Sequence, residues 1–183
     1  MGSRQEIRLC GYGGQGIILA GFIIGQAATV YQGRQAVLTQ DYGPEARGGS
    51  CRADVIIADG PVPYPYVDTP GILVAMSQEA FEKYIPRVRP DTTVIYDEDL
   101  VAPAPGLPQR ALPMPARRIA QQMGRMVVAN VAMLGFFTGA TGVVSTDAMK
   151  QSILASVPKN AGKLNLAAFD EGFVAATKPG AGK

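Results

Sequence analysis

Histidine and tryptophan are absent from the 183 residues, and only two cysteines occur, Cys10 and Cys51. Without histidine there is no Ser-His or Cys-His nucleophile pair, and the commonest zinc ligand is missing. Two thiols cannot by themselves supply a zinc site or the four thiolates of an iron-sulfur cluster, nor do they make a secreted disulfide scaffold, so the expected compartment is reducing and cytoplasmic. Acid-base chemistry is left to Asp, Glu, Lys or Tyr. Charge is scarce too: 17% of the residues are charged against 47% hydrophobic, and the net charge is only +2. With no run of like charge there is no footprint for a phosphate backbone, which argues against nucleic acid as a partner. So little charge also points to a surface that is partly covered.

Two segments carry no charge at all, Leu9 to Gly33 and Met126 to Thr146, and each is long enough to raise the question of a bilayer span. Both make poor spans, being broken by several glycines and by Gln15, Gln26, Gln32 or Asn130. The first also lacks the basic, apolar and small-residue order of a signal peptide. Glu6 stands where a myristoylation signal needs Ser or Thr. No membrane is therefore expected. The length suits a single domain over residues 1–177, followed by a frayed tail over 178–183.

"EIRLC", a glycine turn and an apolar stretch to about Tyr31 read as strand, tight turn and helix. "QAVLTQ", "SCRADVIIAD", "GILVAM" and "TTVIYDED" read as further strands, with the helix "SQEAFEKYIPRV" between the last two. The alternation predicts an α/β fold: a Rossmann-like, open, mostly parallel sheet with helices on both faces and a helical C-terminal third. "PVPYPYVDTPG" and "APAPGLPQRALPMP" are too rich in proline for helix or central strand and are expected as surface loops or edge segments. In the last third, "ARRIAQQM", "MVVANVAMLGFF", "STDAMKQSILASV" and "NLAAFDEGFVAAT" read as helices, the third capped by Ser145 or Thr146. The helices Ile17–Val30 and Val127–Phe137 are apolar on nearly every face, which predicts burial on all sides and a partner protein to complete it. Gly21 and Gly25 form a smooth strip, read as tight helix-on-sheet packing in preference to a dimer motif.

Gly11, Gly13 and Gly16 have the G-x-G-x-x-G spacing of a dinucleotide-binding turn. Glycines permit close backbone approach, and the helix that follows aims free N–H groups at any anion there. A nicotinamide site also needs an acid about 20 residues on to hold the ribose. Tyr31 stands at that place, and the first acid after it is Asp41, inside another glycine-rich stretch. A structural turn and an anion site are the two readings left open, both ahead of an NAD site. In "QDYGPEARGGSCRAD", glycines and Pro44 fix an excursion that brings Tyr42 and Arg47 to the carboxyl end of the second strand, where a phosphate or carboxylate would bind. A rigid loop with Glu45 and Arg47 paired is the plainer alternative. Cys10 reads as a small core residue and Asn130 as the cap of a loop carbonyl or an interface contact. Asp97 to Asp99 reads as a strand end running into a solvated turn, with no metal site.

Taken in order, "GYGGQGIILAG", "YGPEARGG" with "CRADVIIAD", "NVAMLG" and "KLNLAAFDEGF" resemble the gamma subunit of the 2-oxoacid:ferredoxin oxidoreductases. The family includes 2-oxoglutarate, pyruvate, indolepyruvate and phenylglyoxylate oxidoreductases. The resemblance runs nearly end to end and implies a non-catalytic subunit of a thiamine-diphosphate enzyme that oxidatively decarboxylates a 2-oxoacid to an acyl-CoA. Thiamine diphosphate, magnesium and iron-sulfur clusters would then belong to alpha, beta and ferredoxin-like partner subunits, and ferredoxin or an NAD-linked flavoprotein would accept the electrons. This chain has no "GDG" diphosphate motif and is expected to hold no cofactor tightly. The same resemblance makes Gly11, Gly13, Gly14, Gln15, Gly16, Tyr42, Gly43 and Arg47 candidates for contact with coenzyme A. The rival expectation is a free-standing domain that binds NAD(P) or a flavin.

Overall fold

Ile7 and Leu9 alternate with Arg8 and Cys10 along the first strand, so the two faces of the sheet carry different interiors. The computed structural model describes residues 3–43, 49–107 and 110–178. It places that strand, β1 (Arg4–Tyr12), inside a six-stranded sheet. The others are β2 (Gln35–Tyr42), β3 (Ser50–Ala58), β4 (Ile72–Ala75), β5 (Thr93–Asp97) and β6 (Arg110–Met114), in the order β2-β3-β1-β4-β5-β6. β1, β4, β5 and β6 pair in parallel, whereas β3 runs antiparallel to both of its neighbours. The sheet is thus mixed, and every strand but β3 points the same way. Residues 43–49 are too few for a crossover, which takes about a dozen residues or more, so β2 and β3 must form a hairpin. β6 comes out of a proline-rich segment and takes the edge position, where Pro113 costs no ladder bond on its open side.

α1 (Ile17–Val30) lies on the face made by Leu9, Ala53 and Val55. A Cβ at Gly21 would sit 2.7 Å from that of Ala53, so the glycine lets the helix down onto the strand. Gly25 has open space around it and lines a groove with Phe22 and Leu38. α3 (Ala116–Gln122), α4 (Ala129–Thr141), α5 (Thr146–Ser156) and α6 (Gly162–Thr177) extend the layer on the same face. α2 (Gln78–Tyr84) covers the other face, around Cys10, Leu73, Ala75 and Val94, helped by Ile85, Val88 and Val101. Helices therefore flank both faces, unequally. Ser77 caps α2 and Ser145 caps α5, each hydroxyl accepting from the N–H three residues on, which settles the choice between Ser145 and Thr146.

The expectation that both apolar helices need a partner protein for cover is corrected for α4. α4 is buried from Asn130 to Thr138, but its second side is covered within the chain, by α6. Gly135 and Gly172 let the two helices meet backbone to backbone. α1 keeps an open side, with Leu19 39%, Phe22 48% and Val30 65% exposed. No helix among the described residues is long and apolar enough to cross a membrane.

Candidate functional site

β1 and β4 are parallel neighbours, yet α1 and α2, which follow them, leave on opposite faces of the sheet. Such a switch opens a crevice at the carboxyl ends of the strands. Gln15 stitches its two sides together. Its Oε1 accepts from the Tyr12 N–H at 2.7 Å, and its Nε2 donates to the Met76 carbonyl at 2.7 Å. The turn then reaches α1 through Gly14 (φ +95°) and Gly16 (φ +74°), left-handed conformations that only glycine takes without strain. Gly16 is also hemmed in from above, because a Cβ there would overlap Nδ2 of Asn130. Asn130, in the first turn of α4, donates from that Nδ2 to the Gly16 carbonyl at 3.3 Å.

With Gly16 held, the first intrahelical bond of α1 runs from the Ala20 N–H to the Gly16 carbonyl. The N–H groups of Gly16, Ile17 and Ile18 meet no acceptor among the described residues, and no side chain caps them. Of the three, Gly16 borders a cavity of about 760 Å³, together with Gly14, Gln15, Met76, Asn130 and Asn165. Three of the ordered sequence motifs converge there: the glycine turn, the "NVAMLG" helix and the closing helix. The fourth is tied on from outside, the Gly13 N–H donating to the Gly49 carbonyl at 2.9 Å.

The predicted site residues divide accordingly. Gly14, Gln15 and Gly16 line the cavity. Gly11 is internal to β1, opposite Cys51, where a Cβ would overlap Gln15 Oε1. Gly13 secures the turn against the hairpin. Tyr42 is 62% exposed at the end of β2, and Gly43 donates to the Ser50 carbonyl at 2.7 Å; neither borders the cavity. Arg47 lies outside the described residues. Cys10 is a core residue whose thiol donates to the Val74 carbonyl at 3.4 Å, and burial pushes that thiol far up. Among the described residues no cluster of His, Cys, Asp and Glu could hold a metal.

Asp97 stands at a strand end running into a turn, as the sequence reads, but its burial is not legible there. It is fully buried at the end of β5 and borders the cavity, whereas Glu98 and Asp99 are the outer acids, paired with Arg118. Its two oxygens accept from the N–H groups of Asp99 and Arg117, each at 3.0 Å. Burial pushes the carboxyl above its ordinary range, and the two backbone bonds reverse this only in part. A carboxyl-carbon NMR titration should place its midpoint above about 3.9. The folded chain then holds this proton more tightly than the unfolded one, so stability falls as pH rises from about 3.9 through that midpoint. Asp97→Asn should remove this slope from a denaturation series run against pH.

Residues 6–175 match the family model for pyruvate ferredoxin/flavodoxin oxidoreductase. The 2-oxoglutarate synthase subunit KorC of Methanocaldococcus jannaschii is 46% identical, with 93% of this chain and 92% of that one covered. A keto/oxoacid ferredoxin oxidoreductase gamma subunit from Geobacter sulfurreducens superposes at a TM-score of 0.88 with 40% identity, covering 99% of each chain. The 2-oxoglutarate:ferredoxin oxidoreductase of Magnetococcus marinus, solved with 2-oxoglutarate, coenzyme A and succinyl-CoA bound, shares the fold at a TM-score of 0.88 and 23% identity. It takes in 98% of this chain within 32% of its own. The matched span holds the glycine turn, the hairpin, Asn130 and the closing helix together, and on it the chain belongs to the pyruvate ferredoxin/flavodoxin oxidoreductase family.

Proposed function

We propose that this chain is the gamma subunit of a multi-subunit, cytoplasmic 2-oxoacid:ferredoxin oxidoreductase acting on 2-oxoglutarate, and that it lies beside coenzyme A without taking part in bond making. The observation that carries the reading is the 46% identity with a 2-oxoglutarate synthase subunit along almost the whole of both chains. Oxidative decarboxylation to succinyl-CoA would use thiamine diphosphate, magnesium and iron-sulfur clusters held by alpha, beta and ferredoxin-like subunits. The residues here do not fit a cluster: Cys10 and Cys51 belong to the interiors on opposite faces of the sheet.

The crevice supports a place for coenzyme A. The free N–H of Gly16 at the start of α1 offers a hydrogen bond to one of its oxygens, and Tyr42 and Gly43 at the end of β2, with Arg47 close by in sequence, are the proposed contacts of its phosphates. The bound coenzyme A in the Magnetococcus enzyme fits this reading. Leu19, Phe22 and Val30 leave an exposed apolar side on α1 that the alpha and beta subunits would cover. The rival free-standing dinucleotide domain fares worse. In a dinucleotide crevice the second strand lies next to the first, whereas here β3 separates β1 from β2 and Asp41 faces Arg52 at 3.6 Å.

The test is to purify the co-expressed complex and assay 2-oxoglutarate, pyruvate and 2-oxoisovalerate with coenzyme A and ferredoxin. 2-Oxoglutarate should be turned over fastest, and only when this chain is present. Activity of the isolated chain, or faster turnover of either other acid, overturns the proposal.

A further inference from the structure

On the face of the sheet away from α1, a second cavity of about 300 Å³ is lined by charge. Arg8 and Asp54 are its buried lining, Arg52 stands beside them, and Tyr64, Tyr66 and Arg87 are its exposed lining. Arg8 is 3% exposed, yet its bonding is incomplete. Nε and Nη2 serve Asp54 and the Val67 carbonyl, whereas Nη1 has no acceptor among the described residues and is not sealed from solvent. A donor on so nearly buried a guanidinium has little surface through which water can serve it.

Arg52 adds to this surplus. It makes no hydrogen bond among the described residues, only looser contacts of 3.4 Å with Asp54 and 3.6 Å with Asp41. Its guanidinium and that of Arg8 both lie over the Tyr84 ring, at 5.9 and 5.1 Å, which holds the two side by side. Arg87, in the turn after α2, meets neither an acid nor another acceptor among the described residues, and Asp68 meets no cation. The described lining thus carries three arginines to two aspartates, a surplus of one positive charge.

The ligand that matches is an anion of single charge. A phosphate dianion exceeds the surplus and is repelled by Asp68, whereas a carboxylate balances it and offers planar oxygens to the planar donors of arginine. The tyrosines select what carries the carboxylate. Tyr64 and Tyr66, 53% and 59% exposed, stand edge to face at 5.5 Å and offer a wall to an apolar or aromatic group. We propose that this cavity binds a carboxylate on an apolar or aromatic body, its oxygens held by Arg8 Nη1, Arg52 and Arg87 and its body against Tyr64 and Tyr66. The site is independent of the coenzyme A reading, because it shares no residue with the cavity at the glycine turn.

Calorimetric titration of the full chain with sodium benzoate, acetate and phosphate, at constant ionic strength and pH 8, tests this. Benzoate should bind about tenfold more tightly than acetate, the difference one aromatic contact makes, and phosphate should not displace it. Arg87→Ala should weaken benzoate about tenfold or more, and Tyr64→Ala should bring it to the level of acetate. Lys163→Ala, the same loss of charge at an exposed position on α6 across the sheet, should change nothing. Absence of benzoate binding, displacement by phosphate, or an equal loss in Lys163→Ala overturns the proposal. The same titration on the assembled complex separates two sources of the carboxylate. Binding retained there identifies a small organic acid as the ligand, and binding lost there identifies an acidic side chain of a partner subunit already seated in the cavity.

Discussion

Gly135→Ala should destabilise the chain by about 3 kcal/mol or more, at the upper end of what overpacking costs and a large part of a domain's total stability. A Cβ at Gly135 would overlap the carbonyl oxygen of Phe169, and one at Gly172 would overlap that of Ala132. The contact is reciprocal, each helix presenting a glycine to the other's backbone. A side chain in the way could change rotamer, but a carbonyl in a helix cannot move without its turn. α4 and α6 would have to separate, opening the interior around Phe136, Phe137 and Phe169, all at most 1% exposed. Gly172→Ala should cost a similar amount. Gly25→Ala is the control, since nothing lies within 4 Å of its added Cβ and alanine is favoured in a helix interior by up to about 1 kcal/mol. Urea midpoints should therefore fall for the first two and rise for the third. A midpoint for Gly135→Ala equal to that of the parent would contradict the crossing.

That same crossing explains one limit of what the sequence discloses. α4 reads from its own composition as a helix needing cover on every side, and that much is right. Gly172, which lets α6 supply the cover, sits in "FDEGF" with nothing local to say that its missing side chain answers the one missing from Gly135. Strand β3 is a second case. Its alternation of Ala53 and Val55 with Arg52 and Asp54 is legible, but its direction is decided by the brevity of the connection before it, a property of the loop and not of the strand. Once β3 is reversed, β2 is displaced from β1, which is why a dinucleotide spacing at the glycine turn leads to no dinucleotide crevice.

The candidate site divides along the same line. Gly14 and Gly16 are legible because a backbone conformation demands the residue type, and Asn130 because an amide in an apolar helix must find a carbonyl. Asp97 is not, because burial of a carboxylate depends on what arrives later in the chain: α3 brings the Arg117 N–H to one oxygen, while the turn at Asp99 supplies the other bond. Met76 and Val127 carry no signal of their own. They matter only by position, one beyond the end of a parallel strand and the other at the start of a helix bordering the same cavity.

Asp54→Ala is the other substitution expected to cost most, about 3–5 kcal/mol, as for an ion pair broken with one charge left buried. Arg8 and Asp54 stand opposite each other in the antiparallel pairing of β1 and β3, both 3% exposed, joined by two hydrogen bonds of 2.8 Å. Arg8 also donates to the Val67 carbonyl and lies over the Tyr84 ring at 5.1 Å, so its guanidinium is held in place while losing both charge-assisted bonds once the carboxylate is gone. Asp54 holds Arg52 at 3.4 Å as well, but Arg52 is partly exposed and retains Asp41. Removing both members is a different matter, because desolvating an ion pair offsets most of its attraction. Arg8→Met combined with Asp54→Leu should bring the urea midpoint back close to that of the parent. If the double variant instead stays as unstable as Asp54→Ala, the pair does more than neutralise itself. It would then be fixing the register of β1 on β3, where a slip of one residue sets Arg8 against Ala53 or Val55 and sends every apolar side chain of the strand to the wrong face.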